Sequence, residues 1–291
     1  VCRSKTSSHT NCILRINSDW LLLKHILYMK YGCYNNMIEF PVHISIGNAS
    51  VLLHTITEFA GIFIGFRYFL FLRKRQGDDV STQNRMIIIV GALFGAILGS
   101  RLVGGLEDLT QLKIADNTLM YFFNNKSIAG GLLGGVFGVE IIKYFVGEKK
   151  KSGDLFVFPL LLAMVIGRIG CFSMGVFEET YGVATNSIFG LNLGDGIPRH
   201  PVMLYEIFFL SFLWLSLYKI KDTFDLANGQ LFQIFMMSYL LFRFFVEMLK
   251  PNQTYFLHLG TIQMACLLGM LYYIFVIDFR TLFSKKIQHP K

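Results

Sequence analysis

A bundle of seven membrane-spanning helices is the fold class the sequence predicts, and three observations predict it. Of the 291 residues, 53% are hydrophobic and only 16% charged, against roughly 25% charged in soluble domains; the mean hydropathy is +0.50. Seven stretches, near 51–72, 86–104, 127–146, 155–171, 201–219, 229–249 and 258–279, are apolar over the length a bilayer demands, which is about 20 residues each. The connections between them alternate in charge, as loops on opposite sides of a membrane do. The expectation is an all-α integral membrane protein.

The loops orient the bundle. "RKRQGDDVSTQNR" after the first span, "GEKKKSGD" after the third, "KIKDTFD" after the fifth and the tail "FRTLFSKKIQHPK" are basic. The intervening "EDLTQLKIADN" and "FEETYGVATNSIFGLNLGDGIPRH" are acidic or weakly charged. Basic loops stay on the cytoplasmic side, so the N-terminus is expected outside and the C-terminus inside. The net charge of +8 follows from those loops; no basic stripe or motif points to nucleic acid. Residues 1–36 are polar, basic and without a long apolar run. They read as a non-conforming extension ahead of a natural start near Met29 or Met37, with 37–291 as one membrane domain. They lack the apolar core and small-residue cleavage site of a signal peptide. Cys2, Cys12, Cys33, Cys171 and Cys266 form no CxxC pair, which argues against a disulfide framework and against a zinc or redox site.

Glycines indicate how the spans pack. Gly91, Gly95 and Gly99, Gly130, Gly134 and Gly138, and Gly61 with Gly65 recur every fourth residue. Such spacing puts small residues on one helix face and lets backbones approach closely.

The charged residues inside the spans carry the functional signal. Charge in the hydrocarbon region costs from a few kcal/mol upward (~2.5–3.5 on insertion scales) and marks functional positions. With the orientation above, Arg101, Arg168, Arg243 and Glu247 fall toward the outer ends of three spans, and Arg199, His200, Tyr205 and Glu206 at the outer start of another; Glu58 falls in the outer half of the first. Separate helices thus bring charge to one depth. Arg243 and Glu247, four apart, share a helix face. In "PRHPVMLYE", Pro201 suits a helix start, whose free N–H groups beside Arg199 and His200 favour an anion. A phospholipid headgroup is the anion at that depth, and its phosphate suits the arginine fork. Blander readings exist for single residues: a purely structural Arg243–Glu247 pair, Arg101 reaching for the interface, an interfacial His200. Cys171 has no adjacent base in the sequence and reads as a small residue in a packed turn.

"GRIGCFSMG", "PRHPVMLYE" and "FRFFVEMLKP" resemble, in order and separation, signature segments of the bacterial prolipoprotein diacylglyceryl transferases. "LGSRLV", "IAGGLLGG" and "GTIQM" resemble weaker segments, and the resemblance covers about 45–275. It implies a seven-span enzyme of the cytoplasmic (inner) membrane with its site toward the outer leaflet. That enzyme transfers the diacylglyceryl group of phosphatidylglycerol to the lipobox cysteine of prolipoprotein signal peptides and releases glycerol phosphate, with no cofactor or metal. Arg168 and Arg243 match the family's essential arginines, Glu247 the partner of the second, and His200 the histidine of its "RHPSQLYE" segment; these four are the expected catalytic set. Arg101, Arg199, Tyr205, Glu206, Gly170, Gly130 and Gly131 are the expected substrate-binding set.

The departures are specific. Ala129 stands where the family has a histidine implied to take the thiol proton, Cys171 and Met174 stand for asparagines, and Val176 for a glutamate that Glu178 or Glu179 would have to replace. They leave two alternatives open: the same fold acting as a lipid-headgroup transferase on another acceptor, or a non-enzymatic lipid- or anion-binding membrane protein.

Overall fold

The computed structural model describes residues 38–46, 49–251, 254–255 and 258–276. The expected extension over 1–36, the start near Met29 or Met37 and the end of the last span at 277–279 lie outside the described residues.

In chain order, an antiparallel hairpin of β1 (His43–Ile46) and β2 (Ala49–Leu52) leads into α1 (Leu53–Gln76) and α2 (Thr82–Gly105). The short helices α3 (Leu109–Ile114) and α4 (Thr118–Asn124) follow, then α5 (Ile128–Val146) and α6 (Val157–Met174), the latter preceded by a 3-10 turn at Gly153–Phe156. A two-residue ladder, β3 (Leu191–Asn192) with β4 (Pro198–Arg199), precedes α7 (Val202–Thr223), α8 (Gln230–Val246) and α9 (Thr261–Val276). Six of these helices, counted with their flanking 3-10 turns, are long and apolar enough to cross a membrane. Where the seventh span was expected lies α9, a shorter apolar helix of 16 residues among the described residues. The protein is an all-α, multi-pass membrane protein.

Helix ends follow local chemistry. The Ser81 and Ser127 hydroxyls accept from the Asn84 and Gly130 amides at the starts of α2 and α5, satisfying N–H groups that a helix start leaves free. Pro201 takes the N-cap of α7, one residue before the first turn where the sequence reading put it. The first basic loop is pinned by Asp78, which accepts from Arg73 Nε (2.9 Å) and from Arg85. Burial raises the Asp78 carboxyl, but the Arg85 hydrogen bond, the Val80 amide and the arginine charges outweigh it and leave it below its ordinary value.

The glycine rows pack as their spacing predicts. A Cβ at Gly95 would strike the Gly134 carbonyl oxygen, and one at Gly99 that of Gly130. Gly61 and Gly65 lie against Ala163 and the Pro159 carbonyl of α6 in the same way. The core, with Leu161, Leu210, Leu217, Phe235, Met236 and Leu240 fully buried, sits between α6, α7 and α8. Outside it, Phe63, Phe94, Phe208 and Phe275 are 64–85% exposed. Large apolar side chains this bare across several helices suit contact with lipid.

The connections held the surprises. The predicted loop 107–117 contains α3, capped by Asp108, and the β1–β2 hairpin was not foreseen. Its neighbour Val42 donates to the Ser173 carbonyl (2.8 Å) and accepts from the Leu53 amide (3.0 Å), which ties the start of α1 to the end of α6.

Candidate functional site

Where α6 ends, α7 begins and α8 ends, four buried charges meet. Arg168 is 4% exposed, Glu206 0%, Arg243 4% and Glu247 3%. The Glu206 carboxylate is the centre: it takes Arg168 Nε at 2.9 Å, Arg243 Nη1 at 3.3 Å and the Tyr239 hydroxyl at 2.8 Å. Arg243 Nη2 reaches Glu247 at 2.8 Å, and Lys250 Nζ approaches the other Glu247 oxygen at 3.6 Å. Burial pulls the Lys250 ammonium below its ordinary value, with Arg243 adding to this and Glu247 opposing it.

Two consequences follow. Burying an ion costs several kcal/mol unless partners and hydrogen bonds surround it (an idealised ~20 kcal/mol before relaxation), and Glu206 is the partner that lets both arginines be buried. The account is also unbalanced: Arg168, Arg243 and Lys250 face only Glu206 and Glu247 within the ion-paired group. Counted over these five ion-paired residues with Lys250 protonated, one positive charge is in excess, and an anion beside the cluster would offset it. The Arg168 guanidinium also spans toward Cys171, whose sulfur lies 3.6 Å from Nη1.

The other expected residues are distributed around this cluster. Arg199 pairs with Asp195 at 2.7 Å and lies over the Tyr181 ring. Arg199 brings the 178–200 connection back to the start of α7. His200 Nδ1 lies 3.0 Å from the Tyr205 hydroxyl, so those two engage each other rather than the arginines. Arg101 donates to the Phe123 carbonyl and stacks on its ring, apart from the cluster. Gly130 is held against α2 by the close crossing at Gly99 and Val103, and Gly131 faces Ser100 and Ala96; both serve packing here. Gly170 makes room for α1, since a Cβ there would run into Thr57 and come within 3.3 Å of His54. Ala129 is fully buried in the apolar core.

Sequence reasoning passed over Tyr239 and Lys250, and treated Glu206 as one residue of a headgroup-level group rather than the hub. It named His54, with His258, only as a further histidine that could lie near the site, and offered Glu178 only by its position. The two meet: His54 Nδ1 is 3.4 Å from Glu178 Oε2, and Glu178 Oε1 is 3.8 Å from Cys171. Charge in an apolar context was the available signal for Glu206; nothing local marks Tyr239 or His54.

Two cavities flank the bundle. One of about 190 Å³, beside Lys250, is lined by Glu107, Glu179, Tyr121 and Tyr181 among others. Burial pushes the Glu107 carboxyl up to about 7, opposed by Lys250 and reinforced by Glu247. A larger one, about 370 Å³, lies between Asp78, Lys151, Asp154, Lys221 and Asp225 and shares no residue with the arginine cluster.

The sequence profile of prolipoprotein diacylglyceryl transferase matches residues 41–279. The chain is similar to proteins named phosphatidylglycerol–prolipoprotein diacylglyceryl transferase in several bacteria. The one from Rickettsia felis is 29% identical over 230 residues, covering 72% of this chain and 83% of that protein. The one from Finegoldia magna is 28% identical over 253 residues, covering 84% and 96%. The one from Rickettsia typhi is 29% identical over 227 residues, covering 72% and 83%.

Proposed function

Because the chain belongs to the prolipoprotein diacylglyceryl transferase family, we propose that it transfers the diacylglyceryl group of phosphatidylglycerol to the lipobox cysteine of prolipoproteins and releases glycerol phosphate. The observation that carries this reading onto these residues is the one positive charge by which Arg168, Arg243 and Lys250 exceed Glu206 and Glu247 in the ion-paired cluster. A phosphodiester bears a single negative charge and fits that surplus.

In the proposed reaction Arg168 and Arg243 hold the lipid phosphate. The acceptor thiolate attacks the glyceryl carbon, the C–O bond breaks, and its electron pair leaves with the phosphate oxygen. The phosphate then gains negative charge, which preorganised guanidinium donors stabilise more than they stabilise the bound lipid. Glu206 and Glu247 keep the two guanidinium groups in place, each gripping one edge. Arg199, His200 and Tyr205, at the approach to α7, border the lipid headgroup and the peptide, while Arg101, Gly130, Gly131 and Gly170 act on the site through the packing of the helices around it.

The positive-inside distribution of the loops supports a seven-span bundle with its N-terminus outside, its C-terminus inside and this site toward the outer leaflet of the bacterial cytoplasmic membrane. The deciding experiment incubates the purified protein in phosphatidylglycerol-containing micelles with a lipobox peptide. Glycerol phosphate release matched by a diacylglyceryl mass gain on the peptide is expected. Release without peptide modification would redirect the reaction to another acceptor, and no release beside an active relative would refute the transferase reading.

A further inference from the structure

Deprotonating a thiol needs an acceptor, and the arginine cluster holds none that is free. The Glu206 carboxylate is locked between two guanidinium groups and the Tyr239 hydroxyl. His200 faces Tyr205, and Ala129 has no ionisable group. One place beside the cluster differs. His54, in the first turn of α1, directs Nδ1 at Glu178 Oε2 across 3.4 Å, and both atoms are buried without a hydrogen-bond partner. Two lone-pair atoms facing each other in a buried gap repel unless a proton lies between them. The gap opens toward the cluster: Glu178 Oε1 lies 3.8 Å from Cys171 Sγ, and Cys171 Sγ lies 3.6 Å from Arg168 Nη1.

The surrounding structure fixes this gap. Gly170 is the residue that lets α1 close on α6, because any side chain there would collide with Thr57 and crowd His54. The Val42–Ser173 and Leu53–Val42 hydrogen bonds anchor the start of α1 to the end of α6. On the other side of the ring, Nε2 faces Glu58 Oε2 at 3.7 Å, and Glu58 is itself paired with Lys126 at 3.1 Å. The charged and titratable groups facing His54 are therefore Glu58 from its own helix, with Lys126 behind it, and Glu178 and Cys171 from α6 and the turn after it, with Arg168 behind them.

We propose that His54, oriented by Glu178, is the general base of the transfer reaction, resting on the functional reading above. The acceptor's S–H proton passes to His54 Nε2 as sulfur bonds to the glyceryl carbon, while the Nδ1–H stays directed at Glu178. The C–O bond breaks, its electron pair goes to the phosphate oxygen held by Arg168 and Arg243, and the imidazolium returns its proton to solvent or to the departing phosphate. Glu178 stabilises the imidazolium, the role a carboxylate plays in a histidine–carboxylate pair. In this assignment His54 is catalytic and Glu178 is a positioning residue.

The test uses the full chain in phosphatidylglycerol micelles with a lipobox peptide, following kcat and KM against pH. His54→Gln is expected to lower kcat by about 10²–10⁴-fold, the range for losing a general base, with little change in KM for the lipid. Its remaining activity should lose the fall toward acid pH. Glu178→Gln should lower kcat with little change in KM for the lipid and alter the acid limb of the pH profile, which a purely structural role would leave in place. If His54→Gln folds poorly, His54→Ala supplied with imidazole should regain activity in proportion to the free imidazole base. Wild-type transfer with an equally active His54→Gln variant would overturn the base assignment and leave the transferase reading intact; no wild-type transfer would fail the transferase reading itself. The ligand-type atoms of His54, Cys171 and Glu178 lie within 4.8 Å of one another. Activity lost on chelation and restored by Zn²⁺ would therefore overturn the base in favour of a metal centre.

Discussion

Replacing Glu206 by glutamine separates charge from shape at the centre of the cluster. The amide keeps the volume, and its oxygen still accepts from Tyr239 or from one arginine. What disappears is the negative charge that Arg168 Nε meets at 2.9 Å and Arg243 Nη1 at 3.3 Å. The ion-paired group then holds Arg168, Arg243 and Lys250 against Glu247 alone. Removing one partner of a buried pair costs about 3–5 kcal/mol, and because the amide retains part of the hydrogen bonding we expect the low end, about 3 kcal/mol. For a chain of this size that corresponds to a melting temperature lower by about 6–12 °C. Thermal unfolding of the purified variant in detergent would read the shift. Adding a phosphatidylglycerol-like phosphodiester should restore more stability to the variant than to the parent, since the excess positive charge has grown. A variant melting within about 1 °C of the parent, or gaining nothing from the anion, would refute the view that Glu206 is what permits two arginines to be buried.

Arg168→Lys should lose at least about 10²-fold in kcat, as removing a preorganised donor to developing charge does, because an ammonium cannot hold Glu206 and the phosphate together as the fork can; transfer assays on a correctly inserted variant check this. Gly95→Ala should destabilise the protein by about 1–3 kcal/mol, the usual range for overpacking, since its Cβ meets the Gly134 carbonyl. Gly167→Ala, with nothing within 4 Å of the new Cβ, should instead gain up to about 1 kcal/mol from helix propensity; unfolding of the two variants side by side reads both signs. Glu107 gives a pH dependence. Its carboxyl rises from 4.5 to about 7 on folding, so the neutral form belongs to the fold, its contribution is complete below 4.5 and it is lost as pH rises through about 7. The loss amounts to up to about 3 kcal/mol, and Glu107→Gln should flatten the melting temperature across that window.

The fold was legible because membrane helices announce themselves one at a time. Each span needs its own apolar run, and the Gly91–Gly95–Gly99 and Gly130–Gly134–Gly138 rows name their packing faces without reference to a partner. The β1–β2 hairpin and α3 were not legible in the same way, being short and carrying no periodic pattern of their own. Of the site, Arg168, Arg243 and Glu247 were visible because charge in an apolar run is conspicuous. Their arrangement was not visible. Arg243 and Glu247 pair within one turn of helix, a local relation. Arg243 and Glu206 meet across 37 residues of sequence, and no spacing rule predicts a contact set by how α7 and α8 pack. Tyr239 illustrates the point from the other side: within "MMSYLLFRFF" it looks like one more apolar aromatic, and only burial beside Glu206 gives its hydroxyl a task.

That non-local pairing also changes what the arginines mean. A charge alone in a span would suggest that a ligand must neutralise it before the protein is stable. Here each cation has a carboxylate partner in Glu206 or Glu247, so the site needs no ligand to be buried, and under the proposed function the one positive charge in excess is what a ligand would claim. A site built this way would not depend on its anion for folding, so under the proposed function it would release one product and take the next substrate with the scaffold unchanged. The same division of labour bears on the missing base. Glu206 and Glu247 are committed to holding guanidinium groups, which leaves proton transfer to a neighbour that is close but not ion-paired to the arginines. His54 and Glu178 meet that condition on the far side of Cys171, and their reach to the cluster depends on Gly170 admitting α1.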